Sequence, residues 1–144
     1  MKLAHITKDN LEECIKLYMD TFSKEPWNDV FESTDKVRSY FLNFMENNQY
    51  IGYAGIVDGE IKAISVGMIK PYIEGLEYYI DEFCVSYSSQ GQGLGSTFLS
   101  LIEADIKDQG LTAIILLTSH NVPAYQFYQK NQFTVDEDLR VLYR

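Results

Sequence analysis

The sequence has 144 residues, enough for one ordinary domain and too few for two. Hydrophobic residues make up 46% and charged residues 23%, the balance of a folded chain rather than a disordered one. With 12 Lys and Arg against 21 Asp and Glu, the net charge of −9 disfavours binding to phosphate backbones and favours cationic partners.

In chain order, residues 3–7 read as a first strand. Asp9-Asn10-Leu11-Glu12 has the D-x-x-E form of a capping box. Behind it Leu11, Cys14, Ile15, Tyr18 and Phe22 recur at helical spacing. Glu25-Pro26-Trp27-Asn28-Asp29 breaks that period. Ser33-Thr34-Asp35 then caps a second helix, with Val37, Tyr40, Phe41, Phe44 and Met45 along one stripe. Tyr50 to Val57 and Glu60 to Lys70 are strand-like, and Asp58-Gly59 between them is a two-residue hairpin signal. Leu76 to Ser86 reads as another strand. After a glycine-rich turn, Leu94, Phe98, Leu101, Ile102 and Ile106 mark a helix closed by Gly110. Leu111 to Thr118 reads as a buried strand, and Pro123 opens a short helix through Tyr128 to Lys130. Phe133 to Val135 and Leu139 to Tyr143 look like a closing pair of strands. The order β-α-α-β-β-β-α-β-α-β-β predicts a single α/β (α+β) domain over 1–144. Its central sheet is mixed and flanked by helices, with a right-handed crossover between 77 and 118.

Cys14 and Cys84 are too few for a disulfide framework, and no Cys or His spacing suits zinc, so no metal is expected. The N-terminus lacks the apolar run of a signal peptide. The longest continuous aliphatic run, Ala113 to Leu117, is far short of a membrane span. These features predict a cytoplasmic protein with neither a membrane nor a nucleic-acid partner.

The chemistry-bearing stretch is Gln90-Gly91-Gln92-Gly93-Leu94-Gly95-Ser96, between a strand and a helix. Glycines let a backbone turn sharply and approach a ligand, and a helix N-terminus offers free N–H groups to phosphate. A Walker loop is excluded by the missing lysine. A dinucleotide fingerprint fits poorly, because Ser96 stands where its last glycine would be. In Tyr79-Ile80-Asp81-Glu82-Phe83-Cys84-Val85, two consecutive carboxylates sit mid-strand. Neighbours on a strand face opposite ways unless the strand bulges, and buried carboxylates need a partner or a wet cavity.

The spacing Q-x-x-G-x-G, with Phe83-Cys84-Val85 ahead of Gln90, Gly93 and Gly95, resembles the pyrophosphate-binding motif of the GNAT superfamily of acyl-CoA N-acyltransferases. Downstream, Asn121, Ala124, Tyr128 and Phe133 match a second motif of that family. Gln132 departs from it, standing where glycine is usual. The run Ile80-Asp81-Glu82-Phe83 particularly resembles the aminoglycoside 6′-N-acetyltransferase branch. The resemblance implies a GNAT-like, mostly antiparallel sheet and acetyl transfer from acetyl-CoA, as acyl-donor cosubstrate, to a primary amine. It implies acetyl-CoA binding by Phe83, Cys84, Val85, Gln90, Gly91, Gln92, Gly93, Leu94, Gly95, Ser96, Asn121 and Tyr128.

It implies, too, that Tyr128 is the general acid facing the CoA sulfur and that Asp81 or Glu82 is the base, directly or through water. An attacking amine must lose a proton, and a phenol near pKa 10 can return one to the thiolate. Cys84 as a nucleophile is the weaker reading, since no His adjoins it in sequence. Trp27 and Asn28 fall in the loop that borders the acceptor site in the family. Trp27 either walls that site or anchors the loop. With the acidic balance, the acceptor is expected to be a small cationic amine, aminoglycoside- or polyamine-like. The alternatives are a protein lysine or N-terminal acetyltransferase and an acyl-CoA-binding regulatory module without turnover. A homodimer is allowed.

Overall fold

The computed structural model describes residues 1–144. The chain forms β1 (Lys2–His5), α1 (Leu11–Phe22), α2 (Thr34–Met45), β2 (Tyr50–Val57), β3 (Glu60–Tyr72) and β4 (Gly75–Val85). After a 3₁₀ turn at Tyr87–Ser89 come α3 (Leu94–Asp108), β5 (Ala113–Leu116) and α4 (Pro123–Lys130). One five-stranded sheet runs β1-β2-β3-β4-β5. Its first three junctions are antiparallel, and β4 and β5, joined through α3, are parallel. This is the mixed α/β architecture that the element order predicts, with the mostly antiparallel sheet that the resemblance implies. No helix is long and apolar enough to cross a membrane.

Local chemistry sets the element ends. Asp58 and Gly59 both take positive φ, 52° and 80°, which fits the turn to the twist of the β2–β3 hairpin. Ser33 Oγ accepts from the Lys36 N–H at 3.1 Å, capping α2 as expected. The capping box at α1 does not form. Asn10, not Asp9, precedes the first helical residue, and its side chain accepts from the Thr7 N–H and donates to the His5 carbonyl. Glu12 is drawn away instead by Arg38 of α2, with bonds of 2.6 and 2.7 Å. At the end of α3, Gly110 (φ 83°) donates to the Lys107 carbonyl and Leu111 donates to that of Ile106, the paired bonds of a Schellman motif.

Both faces of the sheet are buried. Leu11, Cys14 and Ile15 of α1 and Phe41 of α2 pack with Ala54, Ile64, Val66 and Cys84 on one face. Phe98, Ile102 and Ile106 of α3 pack with Tyr53, Tyr78 and Ile80 on the other. Two expectations are corrected. The strand predicted over 111–118 is only Ala113–Leu116 and is half-buried, because β5 is the sheet edge and pairs with β4 alone. The closing pair of strands is absent. Beyond α4 the backbone is irregular, and Leu139, Val141, Leu142 and Tyr143 are exposed. Local bonds there compete with a ladder: the Asp138 N–H donates to Asp136 Oδ1, and Arg140 donates to the carbonyls of Glu137 and Leu139.

Candidate active site

The site is built around a defect in β4. Val66 pairs with Glu82 and the next residue, Gly67, pairs with Ile80, so Asp81 is a bulge with no partner across the ladder. Gly67 is required there, since a Cβ on it would lie 2.0 Å from the Tyr79 carbonyl oxygen. The bulge resets the alternation of faces. Tyr78 and Ile80 join the α3-side core, and Phe83 and Val85 pack against it. Cys84 joins the core under α1 and α2. Glu82 is turned the same way as Cys84, and Tyr18 and Tyr40 reach it from those two helices. Pairing with β5 stops at Ile80 and Leu116, so the edge of β4 from Asp81 to Val85 is open on that side.

Burial raises the Glu82 pKa from its ordinary value. Hydrogen bonds from Tyr40 and Tyr18 pull it back, while the charges of Asp81 and Asp29 push it further up. Asp81 is more exposed; burial raises its pKa too, and Lys70 opposes that. Lys70 is itself held over the Tyr79 ring, 3.7 Å from its centroid.

Beside the open edge lies a cleft of about 380 Å³, lined by Phe22, Trp27, Phe83, Cys84, Phe127 and Tyr128. The glycine turn closes its far end. Gly91 and Gly93 take φ of 73° and 79°, left-handed conformations that glycine adopts without strain. A Cβ on Gly95 would come within 3.0 Å of the Phe127 ring, so glycine lets α3 start against α4. None of the backbone N–H groups from Gly91 to Ser96 meets a protein acceptor, and they cluster at the N-terminus of α3. Gln90 holds the turn to β4 through Nε2 and the Val85 carbonyl, at 3.1 Å. Such a cradle fits an anion such as the pyrophosphate of a coenzyme A.

Tyr128 is 8% exposed and is packed between Phe83, Phe127 and Phe133. Its hydroxyl has no protein partner, and burial raises its pKa, so the phenol keeps its proton. Cys84 is buried and its thiol pKa is pushed well up by burial, the opposite of an activated nucleophile. The Thr21 hydroxyl beside it is buried without a hydrogen-bond partner.

Of the residues singled out in the sequence, the cleft brings together Trp27, Phe83, Cys84, Val85, Gln90, Gly91, Gly93, Gly95, Ser96 and Tyr128. Trp27 packs edge-on against Phe22, with ring centroids 5.6 Å apart, and so both anchors its loop and walls the cleft. Asn28, Asp81, Glu82, Gln92, Leu94 and Asn121 do not line it. Asn28 is the loop's left-handed residue, with φ 50°. Gln92 bonds the Ser88 carbonyl, and Asn121 is exposed in the turn before α4. Sequence reasoning left out Tyr18, Tyr40 and Asp29. The tyrosines sit on helical stripes that read as core, and only a mid-strand glutamate in need of donors pointed to such partners.

Residues 6–133 match the model of the acetyltransferase (GNAT) family. No curated protein matches the chain in sequence. Its fold is similar to that of a transcriptional regulator from Bacillus halodurans C-125, at 18% identity and a TM-score of 0.76, over 99% of each chain. It is similar to the aminoglycoside antibiotic 6′-N-acetyltransferase AAC(6′)-IG from Acinetobacter haemolyticus, at 13% identity and a TM-score of 0.76, over 100% of this chain and 98% of that one. A third similar structure is AAC(6′)-Iy in complex with the bisubstrate analogue CoA-S-monomethyl-acetylneamine, at 15% identity and a TM-score of 0.75, over 99% and 96%. At these identities the likeness is one of fold.

Proposed function

The chain belongs to the GNAT family of acetyltransferases, enzymes that use acetyl-CoA, and from that premise we propose that its acceptor is a primary amine on a small cationic molecule, aminoglycoside- or polyamine-like. Acetyl-CoA supplies an acetyl thioester open to attack by an amine. The free N–H groups from Gly91 to Ser96 bind its pyrophosphate, and the open edge of β4 at Phe83 to Val85 receives the arm. Asn121 is kept as a further contact to that arm on the strength of its motif.

Glu82 is the base. Burial raises its pKa from the ordinary glutamate value, and it accepts the proton of the acceptor ammonium directly or through one water. Asp81 and Asp29 add negative charge beside it, which draws a cation in and keeps a second ammonium in place. Tyr128 donates its proton to the departing sulfur. Trp27 faces the bound amine across the cleft, with Asn28 fixing the loop behind it. The observation that carries this reading is the single strand β4, with a half-buried carboxylate at one end of its open edge and an unfilled N–H cradle at the other.

The test is release of CoA thiol with acetyl-CoA and a panel of amines: sisomicin, spermidine and a lysine-bearing peptide. Turnover on sisomicin or spermidine that falls as salt rises is expected, since the attraction is long-range and screened. Turnover best on the peptide would make the chain a protein acetyltransferase. Binding of acetyl-CoA without release on any amine would make it a regulatory module.

A further inference from the structure

Two phenols that this chemistry does not use converge on its carboxylate. Tyr40 of α2 and Tyr18 of α1 donate to the same atom, Oε1 of Glu82, at 2.6 and 3.2 Å. No protein donor reaches Oε2. The two rings lie 6.5 Å apart and are fixed by packing. Tyr18 is wedged among Phe22, Phe31 and Phe41, and Tyr40 stands edge-on to Phe41 and Phe44. Neither hydroxyl can ionise at neutral pH, because burial and the charge of Glu82 both oppose it. Both are therefore permanent donors.

We propose that Tyr18 and Tyr40 are positioning residues that grip Oε1 of Glu82, leaving Oε2 as the atom open to the amine and holding the half-buried carboxylate ionised. The proposal rests on the reading of Glu82 as the base. A free glutamate side chain samples several rotamers, and two fixed donors on one oxygen select one of them. They also select the charge state. The groups bearing on Glu82 are Tyr18, Tyr40, Asp29 from the α1–α2 loop, Asp81 and Cys84 of β4, and Tyr128 of α4. No cation is among them. Asp29 and Asp81 oppose its charge, Cys84 and Tyr128 are neutral, and only the two tyrosines favour the ionised form.

The experiment is a carbon-13 NMR titration of protein labelled at the glutamate carboxyls, with the Glu82 signal assigned from Glu82→Gln. Losing a donor to a carboxylate raises its pKa. Tyr40→Phe should move the midpoint of Glu82 up by about one pH unit, Tyr18→Phe by less because its bond is longer, and the double variant furthest. Each substitution keeps the ring, and thermal unfolding is followed alongside. A double variant whose Glu82 titrates like the parent's overturns the proposal, including the case where only its melting temperature falls, for then the tyrosines merely pack. Failure of the base assignment would show separately: Glu82→Gln would turn over the amine panel like the parent while the tyrosine variants still displaced the midpoint.

Discussion

At the glycine turn the proposed binding groups are backbone: the N–H groups from Gly91 to Ser96, presented by two left-handed glycines and a helix start. Around Glu82, nearer the bulge in β4, they are side chains from α1, α2, β4 and the α1–α2 loop: Tyr18, Tyr40, Glu82 and Asp29. The backbone end depends on local conformation, so a single residue there is replaced at the cost of local geometry. The side-chain end depends on how distant segments pack, so its parts are coupled. The two ends should therefore fail differently when damaged.

The largest failure is expected at the side-chain end. Glu82→Gln keeps the shape and both tyrosine bonds can still form to the amide oxygen, so the loss is one of basicity. kcat should fall by about 10²–10⁴-fold at pH 7, and by less at high pH, where more of the amine is already free. Asp81→Asn should act mainly on acceptor KM, because Asp81 is more exposed and has no donors fixing it. Kinetics across pH for both variants check this, and the opposite assignment would make the bulge residue the base.

Tyr128→Phe comes next. The hydroxyl makes no bond within the protein, so its removal costs little stability, yet the departing sulfur would lose its donor. A fall in kcat of about 10²-fold is expected, the low end of what an acid contributes, with acetyl-CoA affinity unchanged by calorimetry. An equal fall in affinity would place Tyr128 in binding and the proton elsewhere.

Gly93→Asp attacks the backbone end. At φ 79° an aspartate is strained, although the space around the site is open, and its charge would oppose a pyrophosphate. Acetyl-CoA affinity should weaken by about tenfold or more, or roughly 1.4 kcal/mol. Acceptor KM measured at saturating acetyl-CoA should hardly move. If it moved equally, the two ends would not be separable in the way the geometry implies.

This contrast also explains what could be read from the chain alone. The glycine turn was legible because its shape lies in local φ values and a helix start, which Gly91, Gly93 and Gly95 announce. The same holds for the Asp58-Gly59 hairpin, the Ser33 cap and the Gly110 terminus. The carboxylate pair was visible as an anomaly, two charges mid-strand, but not which of them is the more buried. That follows from the bulge at Asp81, itself tied to Gly67 on the neighbouring strand, a non-local pairing. Tyr18 and Tyr40 were invisible as partners for the same reason. The capping box misled because Arg38, from the next helix, takes Glu12. The closing strands misled because alternating apolar residues near 139–143 carry no information about the local bonds of Asp136 and Arg140.

The smallest expected effect is at Gln132, the one residue where the family motif usually has glycine. The end of α4 is closed by the same paired bonds as the end of α3: Gln132 donates to the Gln129 carbonyl and Phe133 to that of Tyr128. At α3 the left-handed position is held by Gly110, and here by Gln132 at φ 68°. The Gln132 side chain makes no hydrogen bond that would offset the strain, which for an L residue is about 1–2 kcal/mol. Glycine would relieve it but lose more chain entropy on folding, by roughly 0.5–1 kcal/mol. Gln132→Gly should therefore stabilise the protein by about 0.5–1 kcal/mol and raise the melting temperature by roughly 3 °C, read by calorimetry. Turnover should be unchanged, because the bonds that place Phe133 against Tyr128 are kept. A lower melting temperature would mean that the glutamine holds this turn through its side chain, by a contact that its local conformation does not reveal.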